Sequence, residues 1–288
     1  MKVLTLKIGN EYVPALSGDG INAVTLKSLG LDFATTTELI RSGYDVTSAE
    51  LSGKPAQKIG EGCSLAAPIV CPEHDVICLG INYAAHAEES ARYKKEAFER
   101  ERAYPVYFGK RVLKATADGE DVSLHTDVTE RVDYEAELAF VISKDACGVK
   151  AKDAFDYVYG YTVINDVSAR DVQTRHKQWY FGKSLDGFTP MGPWIVTADC
   201  VDPRDLYVRS YVNGELRQDG NTSLLMFGIP HIIEELSAGM TLAAGTVIST
   251  GTPAGVGMGF DPPKFLKNGD VVRCEVEGIG SITNRFVK

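Results

Sequence analysis

The stretch that decides the fold is Val132-Asp133-Tyr134-Glu135-Ala136-Glu137-Leu138-Ala139-Phe140-Val141-Ile142. Its alternation predicts a β-strand whose even-numbered residues, from 132 to 142, form one apolar face. The opposite face carries Asp133, Glu135 and Glu137. The last two project the same way at roughly 7 Å spacing, which two side chains can close around one cation. A half-buried strand with a solvated acidic face has the same pattern, so this stretch alone leaves both interpretations open.

A third carboxylate follows a second predicted strand. Residues 161–167 are apolar until Asn165-Asp166, so an acid lies at the rim of this strand. Three oxygen ligands, with no Cys or His at ligand spacing, favour a hard ion, Mg²⁺ or Mn²⁺, with about half of its six coordination positions left open. The sequence therefore predicts a metal site at Glu135, Glu137 and Asp166, and Ca²⁺ is compatible with the same ligands.

Composition bounds the class of protein. A chain of 288 residues that is 44% hydrophobic can bury a core for one or two domains. Its net charge of -9 and the lack of a basic stripe argue against nucleic acid as a partner. The apolar runs are strand-sized and the first residues alternate like a strand, so we expect no membrane span and a cytoplasmic protein. Six cysteines without a C-x-x-C pair predict free, buried thiols.

Two units are predicted along the chain. Residues 1–70 have the pattern of a small N-terminal β-rich domain, and a polar linker with Gly and Pro lies within it near its end. Residues 71–288 form the main domain. Near its C-terminal end, Asn213-Gly214 predicts a type I′ hairpin between two strands.

A predicted helix carries a histidine and a glutamate on one face. We expect Asn82 to cap this helix, which runs from about residue 83 to 102 and follows a short strand ending at Gly80. His86 and Glu89 lie one turn apart on it. A solvated helix with incidental polar residues is the alternative, although a position directly after a strand favours function. Lys183, among aromatic and small residues, is either a surface lysine or a cation that holds an oxyanion.

The combination of these segments resembles the fumarylacetoacetate hydrolase family over about residues 72–288. The resemblance depends on the order of several motifs, because each alone is common. They are Gly80-Ile-Asn-Tyr-Ala-Ala-His86-Ala-Glu-Glu89, Asp133-Tyr-Glu135-Ala-Glu137-Leu, Asn165-Asp166-Val-Ser-Ala-Arg170-Asp-Val-Gln173, Gly182-Lys183-Ser and Thr250-Gly-Thr252-Pro-Ala-Gly-Val-Gly. It implies an α+β, predominantly β fold, a mixed β-sandwich roll, that assembles as a homodimer and holds a divalent metal on three carboxylates.

The resemblance also implies roles for individual residues. The segment with His86 and Glu89 closes over the site as a lid, and the pair activates water. The implied substrate is a small 2-oxo acid, and Lys183 stabilises the negative charge formed on it. Other positions that the resemblance assigns to substrate binding are Arg170, Gln173, Thr252 and Lys110. One departure is Arg111-Val112-Leu113 after Lys110, where many members have Pro and Ser, and it leads us to expect an altered pocket wall.

The chemistry of these residues leaves several reactions open. A 2-oxo acid chelated to the metal can be attacked by water at the far carbonyl of a 2,4-dioxo acid, with C–C cleavage to a pyruvate-type enolate. This hydrolase reaction is our leading expectation. Decarboxylation of oxaloacetate and isomerisation of a 2-oxo-dienoate use the same enolate. A non-catalytic metabolite-binding module is the remote alternative, against which the pair of His86 and Glu89 argues.

Overall fold

The computed structural model describes residues 1–94 and 103–288 of a mostly β architecture. The strands within these residues are β1 (Lys2–Ile8), β2 (Glu11–Ser17), β3 (Asn22–Thr25), β4 (Gln57–Lys58), β5 (Ser64–Ala66), β6 (Val76–Gly80), β7 (Val106–Lys110), β8 (Val122–Ser123), β9 (Val132–Asp133), β10 (Ala136–Ile142), β11 (Val158–Asn165), β12 (Ser168–Ala169), β13 (Met191–Thr197), β14 (Tyr207–Val212), β15 (Glu215–Asn221), β16 (Val247–Ser249), β17 (Val271–Val276) and β18 (Gly280–Val287). The α-helices are α1 (Thr36–Arg41), α2 (Ala84–Lys94), α3 (Arg170–Arg175), α4 (Tyr180–Lys183) and α5 (Ile229–Ser237).

Two large sheets pack face to face, as the expected α+β sandwich requires. The larger sheet has eleven strands, and its path runs β4-β3-β2-β1-β13-β11-β10-β16-β6-β7, with β5 on β1. The second sheet has the order β15-β14-β17-β18-β8. Most neighbouring strands are antiparallel, whereas β16 pairs in parallel with β6 and β18 with β8. The predicted mixed, predominantly β fold is confirmed.

Strand β10 lies in the middle of this sandwich. Leu138, Phe140 and Ile142 belong to the core between the two sheets, together with Val208 and Val272 from the second sheet. Ala139 and Val141 face a second core on the other side. Each large apolar side chain buried in this way contributes roughly 1.5–3 kcal/mol. The predicted apolar face is confirmed, but the opposite face is buried as well, so the solvated acidic face that we kept as an alternative is wrong.

The deciding stretch is not one continuous strand. It forms β9 and β10, with a break at Tyr134 and Glu135. The backbone N–H of Tyr134 donates to Asp133 Oδ1 at 3.0 Å, and that of Glu135 donates to Asn165 Oδ1 at 2.9 Å. Because side chains take these two donors, the ladder is interrupted where the acidic residues lie.

The N-terminal segment joins the large sheet. Strand β1 pairs with β13 through Lys2 and Val3, so β1 to β5 extend the same sheet. Leu16, Leu39 and Ile40 pack in the second core beside Val141. The domain boundary at residue 70 stays a prediction.

Several local predictions can be compared with the structure. Asn213 and Gly214 have φ values of 52° and 83°, which confirms the type I′ hairpin between β14 and β15. The cysteines are free, and Cys63, Cys78 and Cys274 are buried while the others are exposed. Residues Ala151–Tyr157 form a 3-10 helix, on which Ala154 is buried and Phe155 is exposed.

Asn82 does not cap α2. Its Nδ2 donates to the carbonyl oxygens of Phe227 and Thr250 at 2.9 and 2.8 Å, and its Oδ1 accepts from the N–H of Phe227 at 2.9 Å. The side chain therefore joins three chain segments, and α2 begins only at Ala84, two residues after Asn82. The helix is described to Lys94, and the predicted continuation over 95–102 lies outside the described residues. None of the described helices is long and apolar enough to cross a membrane.

Candidate active site

The predicted metal ligands meet at one end of the β10–β11 pair. Glu135 and Glu137 flank the start of β10, and Asp166 follows the end of β11. The antiparallel register places Ala136 opposite Asn165, and the N–H of Asp166 donates to the carbonyl oxygen of Glu135 at 2.8 Å. One carboxylate oxygen from each of Glu135, Glu137 and Asp166 lies within 4.8 Å of the others, and the three side chains are buried. We call this group the carboxylate cluster.

Two buried lysines neutralise part of the carboxylate cluster. Lys183 Nζ lies 2.7 Å from Glu135 Oε2 and 2.7 Å from Asp166 Oδ2. Its burial and these partners exclude the surface lysine that we kept as an alternative. Lys110 Nζ lies 2.6 Å from Asp166 Oδ1 and donates to the carbonyl oxygen of Val167 at 3.0 Å. The attraction of Asp166 and Glu135 for the ammonium raises the pKa of Lys183 despite its burial, so Lys183 carries its charge.

Glu137 has no comparable partner. Its carboxylate accepts hydrogen bonds from the Ser249 hydroxyl and from the N–H of Gly251 at 2.9 Å. Among the described residues, no Lys, Arg or His lies within 4.0 Å of it. Burial, with repulsion from Asp166 and Glu135, raises the pKa of Glu137 well above its usual range. A buried carboxylate next to two others lacks positive charge that a cation would supply, so these oxygen donors fit Mg²⁺ or Mn²⁺.

Arg170 connects the carboxylate cluster to the start of α3. Its Nε lies 2.8 Å from Asp133 Oδ2, and its Nη1 lies 2.7 Å from Glu135 Oε1 and 3.3 Å from Gln173 Oε1. Its Nη2 is buried and has no hydrogen-bond acceptor within the described residues. Because an unpaired buried guanidinium nitrogen is costly, it is a donor ready for an anionic ligand.

Asp133 lies on the acidic face but had no predicted role. Its carboxylate pairs with Arg170 and accepts from the N–H groups of Gly257 and Met258 at 2.6 and 3.0 Å. A Cβ on Gly257 would lie 2.6 Å from Asp133 Oδ1, so only glycine allows this approach. In the glycine-rich loop that follows Thr250, only Thr252 had a predicted role. The spacing of its glycines and its closeness in sequence to Thr250 were the only signals that its N–H groups bind carboxylates.

His86 and Glu89 on α2, which we call the helix pair, lie against the same loop. His86 is 5% exposed, and its Nδ1 lies 3.6 Å from Glu89 Oε2. The oxygens of Glu89 accept from the N–H of Gly255 at 2.9 and 3.0 Å. A Cβ on Gly259 would come within 2.6 Å of Glu89 Cδ. The ring and the carboxylate therefore lie next to each other, but at 3.6 Å they form no hydrogen bond, and the buried His86 Nδ1 has no hydrogen-bond partner among the described residues.

A narrow cavity joins the carboxylate cluster to the helix pair. Of the residues with predicted roles, those that line it are His86, Glu135, Glu137, Arg170, Gln173, Lys183 and Thr252. About 20 Å³ of it is open to the centre of a water molecule, which is room for roughly one water. Thr252 Oγ1 donates to the carbonyl oxygen of Ala136 and accepts from Gln218 Nε2, so the loop wall is fixed to β10.

Some predicted positions do not line this cavity. Asp166 and Glu89 lie directly behind its wall, against Lys183 and Gly255. Lys110 is fully buried behind Asp166, which explains why its ammonium contacts that carboxylate. In residues 111–113, Val112 is buried in the second core and Leu113 is 71% exposed. The expected altered pocket wall at this segment is therefore absent from the cavity within the described residues. Phe108, Tyr93 and Trp179 line it instead, without having been predicted.

The fold and the site together define a class of protein. Residues 75–287 match the family described as fumarylacetoacetate (FAA) hydrolase, C-terminal, and the chain belongs to this family. It is 46% identical to oxaloacetate tautomerase YisK of Bacillus subtilis (strain 168) over 245 residues, 83% of this chain and 80% of that protein.

Solved structures agree with the family over the whole chain. The fumarylacetoacetate hydrolase EaFAH from Exiguobacterium antarcticum superposes with a TM-score of 0.87 at 38% identity, covering 100% of this chain and 99% of that one. The maleylpyruvate hydrolase from Sphingobium sp. SYK-6, in complex with manganese(II) ion and pyruvate, gives a TM-score of 0.80 at 28% identity and covers the same shares.

Proposed function

We propose that this chain is a divalent-metal-dependent enzyme that interconverts the keto and enol forms of a small 2-oxo dicarboxylic acid of the oxaloacetate type. The carboxylate cluster carries the proposal, because its member Glu137 has no cationic partner within the described residues and the cluster borders a cavity that His86, Arg170 and Lys183 also line. The similarity to a relative named an oxaloacetate tautomerase supports this choice of substrate.

The metal and the cations would share the negative charge of the substrate. Glu135, Glu137 and Asp166 would hold Mg²⁺ or Mn²⁺, which would supply a Lewis acid for the 2-oxo acid and so favour loss of a proton from C3. Lys183 donates a hydrogen bond at the same place, where its charge stabilises the enolate. Arg170, through its unpaired Nη2, binds an anionic group of the substrate.

The helix pair moves the proton. His86 takes the proton from C3 and returns it in the reverse direction, while the enol oxygen gains or loses its own proton by exchange with water. Glu89 orients the ring and stabilises its charged form. The N–H of Gly255 fixes Glu89, so the base faces the cavity with little freedom. This assignment needs no water nucleophile.

Hydrolysis of a 2,4-dioxo acid is the second candidate. It is favoured by the same pair, since a cavity with room for roughly one water next to His86 could hold the attacking molecule. Two of the structural neighbours are named as hydrolases. Decarboxylation of oxaloacetate would need the metal and Lys183 but no base.

One set of assays separates these reactions. Decay of the oxaloacetate enol in ultraviolet absorbance is followed with Mn²⁺-loaded protein, together with pyruvate release from oxaloacetate and from acetylpyruvate. We expect fast ketonisation, abolished by chelator, with little pyruvate. If the protein cleaves acetylpyruvate efficiently but does not accelerate ketonisation, the hydrolase assignment replaces the tautomerase. Pyruvate release from oxaloacetate alone would indicate a decarboxylase.

The assembly and location that the sequence leads us to expect remain predictions. We propose a cytoplasmic homodimer without nucleic-acid or membrane partners, since the chain is acidic and no basic stripe is visible in its sequence. Light scattering of the purified protein tests the dimer.

A further inference from the structure

The narrow cavity continues outward into a larger one. This outer cavity has a volume of about 930 Å³. Tyr93, Gln173, Thr174 and Trp179 line both cavities, so they mark the passage between the two. A ligand whose 2-oxo acid end lies at the carboxylate cluster would extend its other end through this passage.

The wall of the outer cavity carries an arginine without an acidic partner. Arg131 is exposed, and its Nη1 donates to the hydroxyl of Tyr93 at 3.0 Å, a neutral acceptor. Within residues 1–94 and 103–288, no carboxylate lies within 4.0 Å of its guanidinium, although Glu130 lines the same cavity. Arg175, on the same wall, differs because its Nη2 lies 3.9 Å from Asp171 Oδ2.

We propose that Arg131, oriented by Tyr93, binds the second carboxylate of a 2-oxo diacid and so sets the substrate class of this site. This inference rests on the proposed function, because it assumes that the 2-oxo end is held at the carboxylate cluster. A guanidinium held by a phenol keeps its other N–H groups for a carboxylate, and two parallel bonds to one carboxylate fix orientation as well as charge. On a chain with a net charge of -9, such a cation at the entrance also favours the approach of a dianion.

Matched ligands isolate the second carboxylate. Calorimetry with Mn²⁺-loaded protein compares 2-oxoglutarate and 2-oxoadipate with analogues in which an isopropyl group replaces the second carboxylate. Two chain lengths are used because the distance from the carboxylate cluster to Arg131 decides which diacid can contact both and so bind more tightly. Arg131→Met should weaken binding of the better diacid about tenfold and leave both analogues unchanged.

Two further variants serve as a control for Arg131→Met and as a test of the Tyr93 hydrogen bond. Arg175→Met removes a cation from the same wall that already has an acidic partner, and it should leave the preference for diacids unchanged. Tyr93→Phe removes the hydrogen bond but keeps the charge, so it should lower diacid affinity about two- to threefold.

The outcomes separate this inference from the proposed function. If Arg131→Met weakens the binding of diacids and analogues equally, or changes the binding of neither, Arg131 only holds α2. The inference is then wrong, while the proposed function stands. If the loaded wild type binds no 2-oxo acid at all, the proposed function fails and the inference with it. A loss of affinity in Arg131→Met that is confined to diacids, with unchanged affinities in Arg175→Met, confirms the inference.

Discussion

The carboxylate cluster and helix α2 supply different parts of the same site and are held in different ways. Every side chain of the cluster is buried in the middle of the sandwich and has at least two fixed partners. Helix α2 lies at the edge, and polar contacts such as Glu89 with Gly255 and Arg92 with Gly259 attach it to one loop. The groups proposed to bind are therefore rigid, whereas the groups proposed to move protons depend on a few polar contacts with one loop.

This difference separates binding from chemistry. Changes in the cluster should alter the affinity for metal and the stability of the fold, because buried charges are involved. Changes on α2 should alter turnover and leave binding and stability nearly intact.

The largest effect is expected at Glu137. Glu137→Gln keeps the side-chain volume and removes one ligand charge, so Mn²⁺ affinity should fall by more than about 100-fold, since even partners of ligands contribute 10–100-fold. The metal-free variant should be no less stable than the wild type, because a buried carboxylate with a raised pKa and no cation partner is removed. Calorimetry and denaturant unfolding measure both.

Glu130→Gln is the control for that variant, because Glu130 is exposed and outside the cluster. It should leave Mn²⁺ affinity unchanged. Unchanged Mn²⁺ affinity in Glu137→Gln would show that the metal site is misplaced.

Removal of the proposed base should affect turnover alone. His86→Ala should lower kcat by about 10²–10⁴ for ketonisation, and for acylpyruvate cleavage if that occurs, while oxalate binding to the Mn²⁺-loaded protein is retained. Any oxaloacetate decarboxylation should fall less, since it needs no base. His231→Ala is the control, because His231 is exposed on α5 beside Glu235. Equal loss in both variants would contradict the role of His86.

A smaller effect is expected when the glutamate is displaced without being removed. A Cβ at position 259 would lie 2.6 Å from Glu89 Cδ, so Gly259→Ala should push this flexible side chain away from His86. We expect kcat to fall about tenfold, with unfolding free energy changed by less than about 1 kcal/mol. Gly239→Ala adds a Cβ with no neighbour within 4 Å and should change neither quantity. Steady-state kinetics that are the same in both variants would contradict the pairing.

The comparison also explains what the sequence could predict. Alternation in residues 132–142 identified the buried face of β10, and an acid at a strand end identified Asp166, because both depend on periodicity within one segment. The positions of Lys110 and Asn82 depend on partners far away in sequence, Asp166 and Phe227. The residues around Asn82 do not indicate whether its side chain caps a helix or bonds to loops that are distant in sequence. The break at Tyr134 has the same cause, since it needs Asn165 from another strand.

The smallest expected effect concerns the motion of α2 itself. Its described residues, 84–94, have a narrow apolar stripe and are attached by polar contacts, so they should open locally at a free energy well below that of global unfolding. Oxalate with Mn²⁺ should occupy the cavity next to His86 and stabilise α2 in the position described here, so amide exchange in this segment should slow by about tenfold. Amides of β10, buried between two cores, should not change, and Glu137→Gln should abolish the slowing because it prevents metal binding. Exchange that is unaffected by saturating ligand would mean that α2 is as fixed as the carboxylate cluster, and the two regions would then differ in chemistry alone.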